Sequence, residues 1–455
     1  MAAYLRGRTA VCLFQGATSS QFTCHSGVPQ GSVLSPVLFN FFVSGCPELA
    51  HLSLSYADDF HLSVSGPDVL SLGRELTQCL SRISQWAKEN KLVIAPEKSS
   101  VTVFTPNTRE VNMDPCVYLD GVLLPVDRRP KWLGFTITNM GSPTPHLDSA
   151  VVKGNSRLQL MKAIRGLDFG DKETLRLTYN TLVKPVLEYG APIYFPITGP
   201  EASSIRRLQS VQNGCMRVIT GSHLMADTDH LLAETNLLSI KDHLGLICKQ
   251  FLASAYREDH PSHHIIKLPT GSRPGRKEIR HTLQSRYDED VKPYLRDGVL
   301  PESLYKQTIK DIHTKVVTES KSKLINKVLG RAPPDIDPSE MSLPRLTRST
   351  LSQIRSQYCN ELKTYQARIG SSPNDICPVC RGAPHTTRHL FECPAAPTNL
   401  KVLSLWKDPR GAADFLRSLP SFDRLPPNPP YPRPPPMPPP RTRPLDLYVA
   451  RGAPT

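Results

Sequence analysis

The chain has 455 residues, enough for two or three domains with cores of their own, yet 39% apolar residues and 44 prolines are too lean for one compact globule. A net charge of +14 and a pI near 9.3 suit a polyanionic partner such as nucleic acid, although charge alone fits equally a soluble basic protein without one. The N-terminus, Met1-Ala2-Ala3-Tyr4-Leu5-Arg6, lacks the apolar core of a signal peptide, and no apolar run approaches a membrane span. The expectation is therefore a protein neither secreted nor membrane-spanning. Its eleven cysteines, an odd count, are expected as thiols or metal ligands in a reducing nuclear or cytoplasmic compartment.

In chain order, residues Ala10 to Phe22 read as two short strands around Gly16. The loop Gly27-Val28-Pro29-Gln30-Gly31-Ser32 follows. Ser35-Pro36 then predicts an N-cap with Pro at the first helical position, and Leu34 with Phe39 a hydrophobic staple. The helix Val37 to Val43 is apolar nearly all round, which predicts burial. From His51 to Ser65 the apolar residues alternate, predicting a β-hairpin whose turn holds Asp58 and Asp59 and whose Leu52, Leu54, Tyr56, Phe60, Leu62 and Val64 share one face. Val69, Leu72, Leu76, Leu80, Ile83 and Ala87 recur at helical spacing and end near Asn90. Strands are predicted at Leu92 to Ala95 and Val101 to Thr105, a strand pair around Gly121, and one more at Trp132 to Ile137. Up to about residue 140 the expectation is a sheet with helices packed on it.

Residues 146 to 260 read as helical: Leu147 to Ile164, Lys172 to Glu188, Ser203 to Ile219, and Asp229 to Tyr256 with breaks. From Pro261 to Pro344 the chain is basic and interrupted, with weak helices around Leu304 to Val328. Leu351 to Ile369 is a further helix. After Asp423 a proline-rich segment predicts an extended tail without a core.

Two adjacent carboxylates at a hairpin tip have two readings. Asp is a good turn residue, and a rigid turn with two carboxylates can also bind Mg²⁺, which takes few carboxylates plus phosphate oxygens. Two such ions would activate an attacking hydroxyl and stabilise a leaving phosphate. The order of neighbours bears on the choice. Gly27-Val28-Pro29-Gln30-Gly31-Ser32-Val33-Leu34-Ser35-Pro36, an apolar helix, and then Tyr56-Ala57-Asp58-Asp59 resemble two consecutive motifs of non-LTR retrotransposon (jockey/ingi-like) reverse transcriptases. The resemblance continues through Lys91-Leu92-Val93-Ile94-Ala95-Pro96-Glu97-Lys98-Ser99, Trp132-Leu133-Gly134 and the thumb-like Lys184-Pro185-Val186-Leu187-Glu188-Tyr189-Gly190, and reaches about residue 416.

The resemblance implies RNA-directed DNA polymerase activity with an RNA template, a DNA primer or target, and dNTPs. Asp58 and Asp59 would be catalytic and bind Mg²⁺, and Lys98 would assist the pyrophosphate leaving group. Gln30 and Gly31 would lie against the nucleotide, Tyr56 beside the primer end, and Trp132 and Gly134 in the strand that grips the primer. A ribonucleoprotein, nuclear or cytoplasmic, is implied with them. The family's palm also needs an Asp on a strand upstream of the Gly27 loop, and the 26 residues before that loop contain no Asp or Glu. The expectation is a partial palm without the first catalytic motif and fingers, inactive as a polymerase on its own. A non-enzymatic nucleic-acid-binding remnant and a decayed open reading frame are the alternatives.

Near the C-terminus Cys377, Cys380, His389 and Cys393 make a Cys-x₂-Cys-x₈-His-x₃-Cys pattern, a closed tetrahedral donor set for structural Zn²⁺. His385 competes with His389 for the fourth place. His389-Leu390-Phe391-Glu392-Cys393-Pro394 resembles the family's terminal zinc knuckle, which favours His389 and implies nucleic-acid binding, often single-stranded. Too few apolar residues surround the pattern for a core, so metal is expected to supply much of the local folding energy. Lys306, Lys310, Lys315, Lys321, Lys323, Lys327 and Arg331 could track a phosphate backbone or form a solvated face. The α/β reading thus has a partial palm at 1–140, a helical thumb-like region at 141–260, a basic connector at 261–345, a helix plus zinc knuckle at 346–416 and a disordered tail at 417–455.

Overall fold

A computed structural model of the chain describes residues 2–25, 27–47, 52–105, 107–167, 170–267 and 279–429. The chain divides into two compact units, residues 1–145 and 146–455. The architecture is mixed α/β, with strands confined to small sheets in the first unit and helices dominating the second. No helix of the described residues is long and apolar enough to cross a membrane. All eleven cysteines are free of disulfides.

The strands of the first unit form five separate two-stranded antiparallel sheets rather than one continuous sheet. Turn chemistry explains the hairpins. Gln15-Gly16, Asp120-Gly121 and Leu133-Gly134 each place two successive residues at positive φ, the backbone of the tight turn whose twist matches paired strands. Gln15-Gly16 closes the pair of strands in which Leu13 faces Thr18, and Thr9 pairs with Thr23 in a second small sheet further from the turn. Joining such hairpins requires a long-range central strand, and none of the described residues supplies it. The expected strands at 92–95 and 101–105 do not form. Pro96 cannot donate to a ladder and opens a tight helical turn, Pro96–Lys98, and Val101 makes a single bridge to Val126.

The long helix Val69–Glu89 is capped by Asp68, whose carboxylate accepts the Ser71 amide at 2.7 Å. Its inner face holds the Gly121 hairpin: Thr77 Oγ1 accepts the Tyr118 amide at 3.1 Å, and Ser84 and Lys88 donate to Asp120 at 2.7 and 2.8 Å. Val101, Val117, Leu119 and Leu124 fill the small core beneath, with Leu76, Leu80, Ile94 and Val126 against it.

The helix at the Gly27 loop begins at Ser35 with Leu34 as an uncapped cap residue, so Ser35 lies inside the helix instead of capping it. Its apolar surface is not buried. Phe41 is 81% exposed, Val37 64%, and only Ser35 and Val43 are buried. Apolarity all round calls for neighbours on every side, and no described layer covers this one.

The second unit has the dense interior. Helices Thr144–Arg165, Lys172–Thr178, Ser203–Thr220, Thr228–Thr235 and Ile240–Ala255 follow the predicted spans. Two of the helices that went unread in the sequence show why. Ala191–Thr198 contains Pro192 and Pro196, which look like breaks, yet Pro192 sits in the first turn, where no amide donor is needed. Ile279–Val291 lies in the segment expected to be interrupted, beside a 22-residue helix, Glu302–Lys323. The predicted helix Leu351–Ile369 is two pieces, Arg345–Ser356 and Lys363–Arg368, because Gln357 at φ +65° ends the first in a left-handed cap.

Arg355 is wholly buried at the centre of this unit. It donates to both Glu234 oxygens at 3.1 Å, to Glu340, and through Nε to the Leu405 carbonyl at 3.0 Å. Around it Leu351, Ile354, Leu390, Phe391, Trp406, Leu416, Leu419, Phe422 and Leu425 form one core. That core overturns two expectations. Leu390 and Phe391 come from the metal-pattern helix, so the cysteine cluster leans on a shared core instead of standing alone. Leu419, Phe422 and Leu425 come from the expected tail, which is packed through these residues because its few apolar side chains find that same core. Residues 430–455, the rest of the expected tail, lie outside the described residues.

Candidate functional site

The acidic hairpin is built from Leu52–Tyr56 and Asp59–Ser63, joined by the two-residue turn Ala57-Asp58 with Ala57 at φ +53°. Tyr56 pairs directly with Asp59, Leu54 with His61 and Leu52 with Ser63. Directly paired residues project to the same side, so Tyr56, Asp59 and His61 share a face with Leu52 and Leu54. Phe60 and Leu62 pair with Ser55 and Ser53 and fall on the opposite face. The one-face pattern expected for the apolar residues is thus wrong, because a two-residue turn pairs even positions with odd ones. Asp58 occupies the turn, and both carboxylates are exposed.

Trp132 stands against this face. Its ring meets His61 edge-on at 4.6 Å between centroids and Phe104 at 5.5 Å. Burial holds the His61 imidazole below its usual range, which keeps it neutral beside the indole. The contact ties the Lys131–Thr136 hairpin, with Gly134 in its turn at φ +85°, to the strand that carries Asp59. His61 escaped the sequence reading; its period-two offset from Asp59 was the available signal.

Gln30 and Gly31 form the tip of the turn Pro29–Ser32, closed by the Ser32 amide to the Pro29 carbonyl at 3.3 Å. Gly31 has φ +84°, which this turn demands at its third residue and which glycine adopts without strain. Tyr4 donates to Ser32 Oγ, Ser35 Oγ donates to the Pro29 carbonyl, and Arg8 Nη2 holds the Gly27 carbonyl at 2.6 Å. Lys98 is exposed at the end of the Pro96–Lys98 turn. No hydrogen bond or ring contact among the described residues joins Gln30, Gly31 or Lys98 to the acidic turn. Among the described residues no third metal-ligating side chain gathers there either.

The cysteine cluster does gather. One ligand atom each from Cys377, Cys380, His389 and Cys393 lies within 4.8 Å of all the others, and this is the one such group among the described residues. Cys380 Sγ is 3.2 Å from His389 Nε2, and Cys377 Sγ is 4.0 Å from Cys393 Sγ. The Cys377–Ala383 loop is closed by the Cys377 amide to the Ala383 carbonyl at 2.8 Å, with Arg381 at φ +56°. That loop aims the Gly382 amide at Cys380 Sγ from 3.4 Å, and this hydrogen bond, with His389 beside it, pulls the thiol down to about 7. Three soft thiols and an imidazole at this spacing fit a tetrahedral metal. His385 is engaged elsewhere: its Nδ1 accepts the Lys363 amide at 3.1 Å, and burial pushes it down to about 4. Thr386 Oγ1 accepts the His389 amide and starts the Thr387–Glu392 helix, which carries His389 one way and Leu390 and Phe391 into the core.

The basic stretch is partly neutralised. Lys315 pairs with Asp290 at 3.1 Å, Lys321 with Asp335 at 3.1 Å and Lys327 with Asp227 at 3.0 Å, leaving fewer cations for a phosphate backbone than the sequence suggested.

Residues 2–137 match the family described as reverse transcriptase (RNA-dependent DNA polymerase). Beyond that segment the chain is similar to RNA-directed DNA polymerases of Drosophila mobile elements. It is 28% identical over 276 residues, 58% of its length, to the probable RNA-directed DNA polymerase from transposon BS of Drosophila melanogaster, of which it covers 29%. To the corresponding polymerase from transposon X-element it is 25% identical, covering 53% of this chain and 27% of the relative. To the RNA-directed DNA polymerase from mobile element jockey it is 26% identical, covering 63% and 32%. The chain thus spans about a third or less of the length of these relatives. No solved structure matches. The reverse-transcriptase match holds the Gly27 loop, the acidic hairpin and the Trp132 hairpin, and ends before the helical unit.

Proposed function

We propose that this chain supplies part of the palm and the C-terminal nucleic-acid-binding region of a non-LTR retrotransposon RNA-directed DNA polymerase. The reaction would join a nucleotide, selected by an RNA template, to a DNA 3′-hydroxyl. One observation carries this reading: Tyr56, Asp59 and His61 share a hairpin face, and the Trp132 ring packs against it. In this reading Asp58 and Asp59 hold Mg²⁺, Gln30 and Gly31 meet the nucleotide, Lys98 faces the leaving pyrophosphate, and Tyr56, Trp132 and Gly134 seat the primer. Two carboxylates are too few for a two-metal site, so this reading requires a further ligand besides Asp58 and Asp59. The Cys377, Cys380, His389 and Cys393 cluster takes one structural Zn²⁺ and contacts single-stranded nucleic acid.

Primer extension on an RNA template tests the catalytic part. The chain alone should incorporate nothing above background. With an upstream palm segment of a relative added, incorporation should require Mg²⁺ and vanish in Asp58→Ala. Equal incorporation by the wild type and Asp58→Ala would overturn the assignment.

A non-enzymatic nucleic-acid-binding role is the second reading. It is favoured by the contrast between a complete Cys₃His cluster and an acidic turn that gathers no third ligand. RNA affinity that depends on bound metal, together with no incorporation under any supplementation, is the outcome expected of it.

A further inference from the structure

Three rings meet beside the turn that follows the Ser203–Thr220 helix. His223, in that turn, stacks on Tyr358 with 6.0 Å between centroids and 16° between planes. Tyr365 stands edge-on to Tyr358 at 5.9 Å, and its hydroxyl is 2.9 Å from His223 Nε2. His223 Nδ1 accepts the Met225 amide at 3.1 Å, so in the neutral ring Nε2 carries the proton and donates to the Tyr365 oxygen. Burial, and after it Arg217, holds this imidazole below its usual range, which keeps it neutral near pH 7. The rings are thus fixed to one another, with Tyr365 buried and Tyr358 half-buried.

Two cations lie over the Tyr358 ring, Lys327 Nζ at 5.7 Å and Arg368 Cζ at 5.5 Å from its centroid. They are not equivalent. Lys327 pairs with Asp227 at 3.0 Å, and the other Asp227 oxygen accepts the His230 amide at 2.8 Å. Arg368 is exposed, and no carboxylate pairs with it among the described residues. Arg217, close enough to act on His223, donates to the Ala226 carbonyl at 3.0 Å and adds to the positive potential there. The surface around is open and partly apolar: Leu224 and Met225, next to His223 in sequence, and Ile369, next to Arg368, are all exposed. An exposed guanidinium anchored by an aromatic ring offers a nucleobase a planar surface to stack on, and its in-plane N–H groups reach phosphate oxygens.

This patch is continuous with the metal pattern. Arg368 ends the helix Lys363–Arg368, whose Lys363 amide is held by His385 Nδ1 and whose Thr364 Oγ1 donates to the His385 carbonyl at 2.9 Å. His385 lies between Cys380 and His389 in the chain. About 8 Å of helix therefore separates Arg368 from the residue tied to the cluster's segment, a distance that a few nucleotides span.

We propose that Arg368, seated on Tyr358, is a base-stacking platform for single-stranded nucleic acid, extending the contact made at the metal cluster. The platform rests on the nucleic-acid reading of the second unit and not on the polymerase reading.

The test uses the zinc-loaded full chain and its Arg368→Ala and Arg368→Lys variants. Each is titrated at several salt concentrations with a labelled single-stranded DNA of about 16 nucleotides and with an abasic strand of the same length. Arg368→Ala should weaken binding of the base-bearing strand about five- to hundredfold, and binding of the abasic strand by far less. Its salt slope should fall by about 0.7. Arg368→Lys keeps the charge but loses the plane, so it should restore the slope without restoring affinity for the base-bearing strand. Both variants should unfold at the wild-type temperature, because the side chain is exposed. Equal losses on the two strands would reduce Arg368 to a phosphate contact and overturn the platform. Wild-type affinity for the base-bearing strand in Arg368→Ala would overturn it too, while leaving the nucleic-acid reading intact. A wild-type chain that binds neither strand would defeat both.

Discussion

The two units handle their polar and apolar residues in opposite ways. In residues 1–145 the carboxylates of Asp58 and Asp59 are open to water, and large side chains such as Phe41 and Tyr56 are exposed at 81% and 67%. In residues 146–455 a guanidinium and two carboxylates are buried, and apolar residues from several separate stretches of chain meet in one core with Trp406. The difference teaches where each kind of order comes from. Hairpins with tight turns form from local sequence alone, whereas a buried ion cluster exists only when distant segments arrive together.

Breaking that cluster should have the largest effect. Arg355→Met leaves Glu234 and Glu340 buried with Lys172 but without the guanidinium that hydrogen-bonds them, and roughly 3–5 kcal/mol of stability should be lost, read as a shift in the urea midpoint of the helical signal. A midpoint unchanged within error would show that the second unit does not depend on its polar centre. Leu390→Ala should cost about 2–5 kcal/mol, since the side chain is 2% exposed in the shared core. The same variant should weaken metal binding measured by competition with a chelator, because that helix also carries His389. Intact metal affinity would mean that the cluster is independent of the core.

Acid provides a gentler probe. Burial, and after it Arg355 and Lys172, hold the His230 imidazole below 6.5 against the pull of Glu234 and Asp227. Unfolded, the ring takes its proton near pH 6.5; folded, it does so at lower pH. Its contribution is therefore complete above pH 6.5 and declines as pH falls below that value. Comparing unfolding midpoints at pH 7.5 and 5.5 should show a smaller drop for His230→Gln than for the wild type. Smallest of all, Asp58→Ala should change stability by less than about 0.5 kcal/mol, because that carboxylate is exposed at the hairpin turn. A large loss there would make Asp58 structural and weaken its assignment as a metal ligand.

Local features were legible in the sequence, and long-range ones were not. The Val69–Glu89 helix, the turn residues Gly16, Gly121 and Gly31, and the four-residue metal pattern depend on neighbours a few positions apart, and each is present where it was read. Reading the faces of the acidic hairpin failed because the offset between its strands is set by the turn length, which alternation does not reveal. The apolar helix after Ser35 misled because composition reports what a surface wants, not whether a partner covers it. Arg355 carried no signal at all. Its partners lie at positions 234, 340 and 405, and a lone arginine at a polar helix position reads as solvated until those segments are assembled.

The same arginine sets an order of events in time. Glu234 and Arg355 are 121 residues apart, so on a growing chain the carboxylate waits for that many additions before its counter-ion exists. A product that stops short of residue 355 contains the sequence of the Thr228–Thr235 helix but lacks the guanidinium that hydrogen-bonds both Glu234 oxygens. Such a fragment would stay open and be degraded, making completion of the C-terminal region a checkpoint for the helical unit as a whole.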